Sequence, residues 1–262
     1  MFISILRRLA RLPLVNLFAT KLEDYVDLAR LAGTSNRRQI TRNKLASITT
    51  IDDWLSFIRP LLPPTQINSE ISGLISLATE RKVRRVLEIG TAQGGTTFLL
   101  ARGIPTTDWI LTVDLLPRHK HVLSFLSGAS CIFHALRGSS REDSTFTRIA
   151  SLVGKEPVDL LFIDGDHSYE GVRDDYNRYS PLVKAGGLIV FHDIASISQS
   201  NTGQPNTGQR WVGGVPIFWQ EVKTLGVRSW EFVEDWNQQG FGIGVIETPS
   251  KNTQELNKST SN

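Results

Sequence analysis

Two short segments of the sequence carry the residue types that proton transfer and metal binding require. The first reads F-I-D-G-D-H and the second L-I-V-F-H-D, so in each an apolar run ends in aspartate and histidine. Carboxylate oxygens and imidazole nitrogens suit Mg²⁺, Mn²⁺ or a similar divalent ion, and an imidazole can accept a proton near neutral pH. The candidates for chemistry are therefore Asp164, Asp166, His167, His192 and Asp193.

Both segments end apolar runs that we expect to be strands of one sheet. Five such runs occur, at 85–90, 109–114, 131–136, 158–164 and 188–193. The stretches between them suit helices, at 95–103, 117–127, 141–153 and 168–184. Uniformly apolar strands that alternate with helices predict a parallel sheet covered on both faces. Ligands bind at the carboxyl ends of such strands, so the candidate residues are expected to converge on one ion or substrate.

The flanking sequence predicts an α/β fold with a doubly wound, mostly parallel, seven-stranded sheet. A helical N-terminal extension and helices at 52–62 and 68–82 precede the sheet, and another helix is predicted at 215–223. The last two strands, expected at 230–234 and 240–246, are too close in sequence for a crossover helix. They must therefore pair antiparallel, as a C-terminal hairpin.

A glycine-rich turn after the first strand is the predicted cofactor end. The sequence V-L-E-I-G-T-A-Q-G-G-T-T places Gly90 in a tight turn and Gly94 at the start of a helix, where the backbone can approach a ligand. As a dinucleotide fingerprint the turn is degraded by Ala92. Glu88 is expected to hold the cationic end of S-adenosylmethionine (SAM), directly or through water, whereas Asp114 suits a ribose diol of SAM or NAD alike. A valine at Gly90 is expected to abolish SAM binding and leave folding largely intact.

The order and spacing of these motifs resemble a known enzyme family. The spacing E-x-G-x-x-x-G-x-T is similar to the first motif of catechol-type and related small-molecule O-methyltransferases. Four further motifs look like the group called methyltransferase domain 24, whose relatives include macrolide-sugar O-methyltransferases and cephalosporin-hydroxylase-like proteins: F-I-D-G-D-H-S-Y-E-G-V, L-V-K-A-G-G-L-I-V-F-H-D, G-V-P-I-F-W-Q-E-V and G-I-G-V-I. The resemblance covers roughly residues 64–247 and implies the Rossmann-like fold of class I SAM-dependent methyltransferases.

This resemblance implies SAM as the cofactor and names the residues that meet it. Two serines after the third strand stand where the family has a turn whose side chains contact the adenine, although one of them could instead cap the next helix. The implied cofactor contacts are Glu88, Gly90, Thr91, Gly94, Asp114, Ser139, Ser140 and Asp164.

The resemblance also implies roles at the chemical end. His167 is the implied base that removes a proton from the acceptor, with Asp164 and Asp193 as its catalytic neighbours. Metal-dependent relatives hold Mg²⁺ with acids at these strand ends, but His192 stands where they have the first acid of a pair. The predicted metal ligands are Asp164, His192 and Asp193, and the need for Mg²⁺ or another divalent ion stays open because imidazole is a weaker partner for Mg²⁺.

The function that these features predict is methyl transfer from SAM to a hydroxyl of a small acceptor, such as a sugar or natural product. Two alternatives stay open. One is an NAD-dependent oxidoreductase, although no obvious Tyr/Lys or Cys/His hydride-relay pair is seen. The other is a non-catalytic family member that binds a membrane or a partner. The polar run 195–214, just after Asp193, is expected to be a lid or a disordered loop.

Composition and charge limit the remaining possibilities. Residues 1–45 hold nine Lys or Arg against three acids, a net charge of +6 in a chain whose total is +3. No nucleic-acid-binding motif accompanies this basic arm, so nucleic acid is not expected as a partner. The segment 1–18 reads as a basic amphipathic helix that packs on the body, on a partner chain such as a second copy, or on a membrane surface.

The domain organisation follows from the same changes in composition. We expect a helical arm at 1–45, a SAM-binding domain at 46–248 and a disordered tail at 249–262. A transmembrane helix is not expected, because no sufficiently long uncharged apolar run occurs. The lone cysteine, Cys131, cannot form an internal disulfide, so a cytoplasmic location is predicted, with peripheral membrane contact through the arm left open.

Overall fold

A computed structural model describes residues 13–195, 212–238 and 240–249, with side chains described from residue 21 onward. The first twelve residues of the predicted amphipathic segment, most of the polar run 195–214 and nearly all of the tail lie outside these ranges. Within the described residues, no helix combines the length and apolar character needed to cross a membrane.

A seven-stranded sheet organises the described chain. Its strands are β1 Arg85–Ile89, β2 Trp109–Asp114, β3 Ile132–Arg137, β4 Val158–Ile163, β5 Val183–His192, β6 Ser229–Phe232 and β7 Ile243–Glu247. They lie in the order β3-β2-β1-β4-β5-β7-β6. The first five strands pair in parallel, and β7 pairs antiparallel with both β5 and β6. The predicted fold class, including the C-terminal hairpin, is confirmed.

Helices cover both faces of the sheet. They are α1 Pro13–Ala32, α2 Ser35–Ser47, α3 Ile51–Ile58, α4 Asn68–Glu80, α5 Gly95–Arg102, α6 Lys120–Ser127, α7 Asp143–Val153, α8 Tyr169–Tyr179 and α9 Val215–Lys223. Alternate strand residues enter two separate cores. Val86 and Phe162 pack beneath α3, α4, α5 and α6, whereas Leu87 and Ile163 pack beneath α7, α8 and α9. This double burial explains why the central strands are apolar at consecutive positions.

Several elements differ from their predicted bounds: the strand predicted at 188–193 already begins at Val183, and the helix predicted at 52–62 ends at Ile58. Two further differences have local backbone reasons. The helix expected at 168–184 ends at Tyr179, where a short 3-10 turn containing Pro181 leads directly into β5. Proline cannot continue an α-helix, which accounts for the early end. The strand expected at 240–246 begins only at Ile243, because Gly240, Phe241 and Gly242 all have positive φ angles, which an extended strand does not allow.

The helical extension packs on the body through one buried carboxylate. Asp24 of α1 is 3% exposed and accepts hydrogen bonds from the backbone N–H groups of His121 and Val122 in the first turn of α6. Its Oδ2 also lies 2.6 Å from His121 Nδ1. An acidic group at a helix N-terminus satisfies otherwise unpaired donors. The described part of the predicted arm therefore contacts the sheet domain, while a domain boundary at residue 45 stays a prediction.

Candidate active site

A cavity of about 490 Å³ opens at the carboxyl ends of β1, β2, β3 and β4. Five of the eight predicted cofactor contacts line it: Gly90, Asp114, Ser139, Ser140 and Asp164. Their approach follows from the parallel pairing of the strands, which brings the strand ends to one edge of the sheet. The remaining three, Glu88, Thr91 and Gly94, lie outside the lining of this cavity.

Asp114 organises the wall of this cavity. Its Oδ2 accepts hydrogen bonds from the backbone N–H groups of Thr91 at 3.0 Å and Ala92 at 3.1 Å. Its Oδ1 accepts from Leu116 N–H at 2.7 Å. One carboxylate therefore fixes the turn after β1 and the turn after β2. Oδ2 thus uses both of its lone pairs, whereas Oδ1 keeps a second lone pair that can accept a hydrogen bond from a ligand hydroxyl.

Gly90 is required by the protein as much as by any ligand. Its φ angle is +95°, and a Cβ built there would stand 2.0 Å from the carbonyl oxygen of Asp164. This backbone oxygen belongs to the chain just after β4, which pairs with β1. The expectation that Gly90→Val leaves folding largely intact is therefore wrong, because the substitution would force two central strands apart.

Thr91 and Gly94 shape the turn rather than the cavity. Thr91 is 3% exposed, and its hydroxyl oxygen lies 2.5 Å from the hydroxyl of Thr112 beneath the turn. Gly94 is the N-cap of α5 with φ +90°, and a Cβ there would lie 2.6 Å from the Leu123 side chain. Gly94 therefore allows α5 to pack closely on α6. The space that a side chain at position 94 would need is occupied by Leu123.

Glu88 is fully buried within the sheet. Its Oε2 accepts a hydrogen bond from the Thr97 hydroxyl at 2.5 Å, and its Oε1 has no hydrogen-bond partner among the described residues. Burial raises the pKa of this carboxyl to about 8, so it is largely neutral at physiological pH. A neutral acid outside the cavity lining does not support direct contact with the cationic end of SAM.

Glu88→Gln is expected to flatten the dependence of stability on pH. Burial favours the neutral acid in the folded protein, whereas the unfolded chain ionises near 4.5, so the free energy of unfolding should fall as pH rises from there and level off above about 8. The size of this fall is on the order of 3–5 kcal/mol. Melting temperatures of the parent and of Glu88→Gln, measured across this pH range, test the prediction. Glu80→Gln, at an exposed glutamate, is the control, and parallel curves for the parent and Glu88→Gln would contradict the assignment.

The chemical end is a cluster centred on Asp164. Its Oδ1 lies 3.1 Å from both His167 Nε2 and His192 Nδ1, and its Oδ2 accepts from the Gln66 amide at 3.2 Å. Burial alone would raise the pKa of Asp164, but the charge of His192 and the hydrogen bonds from both imidazoles outweigh it and hold the pKa at about 2. Asp164 is thus an ionised carboxylate that orients two imidazoles.

Asp193 closes the cluster from the end of β5. It has φ +66°, it is fully buried, and its Oδ1 accepts from Phe241 N–H at 3.0 Å. Its Oδ2 stands 3.2 Å from His167 Nδ1. Burial raises the pKa of Asp193 despite the neighbouring imidazoles. His167 therefore has a carboxylate oxygen close to each ring nitrogen.

The donor set fits a divalent cation. One ligand atom each from Asp164, His167 and Asp193 lie within 4.8 Å of one another. The buried Oδ2 atom of Asp193, 3.2 Å from His167 Nδ1, supplies one of these three ligand atoms. Two carboxylates with an imidazole suit Mn²⁺, Fe²⁺ or Zn²⁺ as well as Mg²⁺. The imidazole of this group is that of His167, whereas the sequence predicted that of His192. The Nδ1 atom of His192 faces Asp164, and its Nε2 atom is buried inside the protein.

A second cavity of about 410 Å³ adjoins the first over this cluster. It shares Ala92 and Asp164 with the first cavity, and its other lining residues are Thr65, His167, His192, Asp193 and Phe241. A small molecule bound here would lie next to whatever occupies the first cavity. The predicted base and both catalytic aspartates therefore face one confined space.

Two residues of this region, Gln66 and Glu70, were not predicted from the sequence. Gln66 holds Asp164 and accepts from the Thr96 hydroxyl at 2.5 Å. Glu70 of α4 is 1% exposed and accepts from Gly242 N–H at 2.9 Å and from the Gln238 amide at 2.6 Å. It thereby holds the segment that carries Phe241. The sequence did contain a signal for Glu70, because a charged residue stands there at a core position of α4, beside buried Ile71.

Comparison with known proteins agrees with this architecture. Residues 87–194 match the family model described as a methyltransferase domain. An uncharacterized protein of Acanthamoeba polyphaga mimivirus is 32% identical over 114 residues, which are 41% of this chain and 50% of that protein. A Mycobacterium sp. (strain JLS) protein named "Putative O-methyltransferase" is 29% identical over 138 residues, 49% of this chain and 57% of that protein. The chain thus spans about half the length of these curated relatives.

The solved structures extend the likeness to the whole fold. The O-methyltransferase from Bacillus cereus, solved in complex with SAH, superposes with a TM-score of 0.54 and 18% sequence identity. The match covers 80% of this chain and 96% of that one. At this identity the likeness concerns the fold alone.

Proposed function

We propose that this chain, a class I SAM-dependent methyltransferase by its fold and by its matched methyltransferase domain, transfers a methyl group from SAM to a hydroxyl of a small acceptor. The observation that carries the proposal is the pair of adjoining cavities that share Asp164. One is lined by residues suited to a nucleoside, and the other holds an imidazole between two carboxylates. Methyl transfer needs these two sites side by side.

The cofactor is proposed to lie in the larger cavity. Asp114 accepts a hydrogen bond from a ribose hydroxyl through the one lone pair of Oδ1 that its backbone donors leave available. Ser139 and Ser140 face the adenine end, where the Ser139 hydroxyl also accepts from Arg141 N–H at 3.3 Å. The methionine part lies along Gly90 and Asp164, which both line this cavity, and Thr91, Gly94 and Glu88 contribute by shaping the turn from beneath.

The acceptor is proposed to lie over His167. Its hydroxyl oxygen attacks the methyl carbon of SAM in line with the sulfur, the carbon–sulfur bond breaks, and SAH leaves with the bond's electron pair. The hydroxyl proton passes to the imidazole of His167, which the carboxylate of Asp164 orients. Asp193 stabilises the positive charge that develops on the ring.

A divalent ion fits this site, but the proposed proton transfer to His167 does not require one. Asp164, His167 and Asp193 would hold it, with His192 as a supporting neighbour of Asp164. Such an ion lowers the pKa of a bound hydroxyl and orients the acceptor. A nitrogen of His167 that coordinates metal cannot take the acceptor proton, so the ligand and base roles compete for one side chain.

The size of the acceptor cavity supports a small molecule. About 410 Å³ accommodates a single sugar or a compact natural product, and Phe241 provides one apolar wall. A cytoplasmic location, where SAM is made available to enzymes, fits the same proposal but stays a prediction.

Binding and turnover test the proposal in sequence. Calorimetric titration of the full chain should show SAM and SAH binding and no heat with NAD. Release of SAH is then followed with hydroxylated sugars, phenols and macrolide aglycones, with and without Mn²⁺. Binding of NAD in place of SAM would overturn the cofactor assignment, whereas SAM binding without turnover of any hydroxylated acceptor would favour the non-catalytic alternative.

A further inference from the structure

Helices α1, α2 and α6 form an open face away from the strand ends. Two shallow clefts lie side by side on it, with volumes of about 520 and 560 Å³. Both are lined by Ser124 and Phe125 of α6. The first extends along Tyr25 and Ala29 of α1, and the second extends beneath Arg42 of α2. We call this surface the arginine face.

Positive charges on the arginine face have no lining carboxylate to neutralise them among the described residues. Arg38, Arg42 and Arg102 line the two clefts, and no carboxylate does so among the described residues. Arg38 donates to the Ala32 carbonyl at 3.4 Å, and Arg102 stacks on the Trp54 ring with a buried Nε that has no partner in the described chain. Within residues 13–195, 212–238 and 240–249, no acid pairs with these three arginines.

The acids of α1 are engaged elsewhere. Asp24 is buried against the N-terminus of α6, Asp27 pairs with Arg30 at 2.9 Å, and Glu23 lies 3.9 Å from Arg118. These three carboxylates of α1 therefore do not neutralise the arginines of the arginine face. The twelve residues that precede the described chain add three more arginines and no acid.

The same face exposes apolar side chains. Tyr25, which lines the first cleft, is 55% exposed, and Leu22 and Val26, one turn away from each other on the same helix α1, are 55% and 42% exposed. The α1 residues follow the three- and four-residue spacing of a single helix face. Soluble surfaces tolerate single exposed apolar residues, but three of them on one side of α1, beside arginines that have no acidic partner among the described residues, indicate a ligand that is both apolar and anionic.

We infer that the arginine face docks on an anionic phospholipid membrane. Arginine binds lipid phosphate through paired N–H donors, while tyrosine and aliphatic side chains enter the boundary between headgroups and acyl chains. A second copy of the chain fits less well, because pairing two arginine faces would bring like charges together. The inference goes beyond the proposed methyl transfer and does not depend on it.

Vesicle co-sedimentation of the full chain tests the inference. We expect binding to vesicles of phosphatidylserine and phosphatidylcholine in equal parts, weak binding to phosphatidylcholine alone, and release by salt. Arg38→Gln with Arg42→Gln should lower the partition coefficient by about 30-fold, at about fivefold per basic residue. The matched control is Lys155→Gln with Arg228→Gln, which removes the same charge from exposed positions on other elements and should bind like the parent.

Apolar variants complete the test. Leu22→Ser with Tyr25→Ser should weaken binding to the same vesicles, whereas Ile217→Ser with Leu225→Ser, at similarly exposed positions elsewhere, should not. Equal binding to both vesicle types, or unchanged binding of the arginine variant, would overturn the inference. A concentration-dependent dimer that Leu22→Ser with Tyr25→Ser abolishes, without vesicle binding, would instead assign the face to self-association and also overturn it.

Discussion

His167→Ala is expected to lower the rate of methyl transfer by about 10²–10⁴-fold while SAM affinity stays nearly unchanged. The imidazole stands between two carboxylate oxygens and faces the smaller cavity, and it does not line the larger one. Its removal therefore affects the proton acceptor and leaves the proposed nucleoside contacts in place. The measurement is SAH release with a saturating hydroxylated acceptor, beside calorimetric titration of SAM.

Chelation separates the two roles proposed for His167. If the imidazole acts as a base, the parent keeps its activity in a chelator and His167→Ala loses it in either condition. If the imidazole serves as a metal ligand, a chelator silences the parent, and Asp193→Ala, which removes a second ligand of the same group, does the same. His121→Ala, at a histidine beside Asp24 and far from the cluster in the fold, is the control. Full activity of His167→Ala would show that the chemistry lies elsewhere.

Asp114→Asn is expected to weaken SAM binding by about 10- to 150-fold, or about 1.5–3 kcal/mol. The carboxylate accepts three backbone hydrogen bonds from two turns. An amide has only one acceptor oxygen, so its NH₂ group would face a backbone N–H in either orientation. The hydrogen bonds that fix the two turns and the contact with the ribose hydroxyl should therefore weaken together.

The control for this variant is Asp108→Asn, which removes a carboxylate from the other end of β2, where it pairs with Arg84. We expect that variant to bind SAM like the parent. Circular dichroism should confirm that both variants fold. Unchanged SAM affinity in a folded Asp114→Asn protein would refute the placement of the ribose.

The sheet was predictable because its signals are local. Each central strand is a short apolar run bounded by glycine or charge, and the close spacing of the last two runs dictated an antiparallel hairpin. Asp114, Asp164 and His167 were found because strand ends in a parallel sheet meet at one edge. Position along a strand was therefore enough to identify about half of the residues that line the two cavities.

Side-chain placement across long sequence distances was not predictable. Glu70 and Gly242 are 172 residues apart in sequence, yet the two are hydrogen-bonded. Gly94 proved to be a packing glycine because the Leu123 side chain stands where its Cβ would be. Both facts depend on how α4 and α6 pack, which no local pattern specifies. The choice between His167 and His192 as metal ligand depends equally on side-chain direction.

The contacts of Glu70 have a consequence for how the acceptor preference of this chain can change. One carboxylate holds the segment whose Phe241 forms a wall of the acceptor cavity and donates its backbone N–H to Asp193. Mutations in that segment are therefore epistatic with position 70. A library that varies residue 241 alone samples only sequences that are compatible with the hydrogen bonds of Glu70 to this segment. New acceptor preferences should arise from paired substitutions at positions 70 and 241, so laboratory evolution of this chain should recombine the two positions jointly.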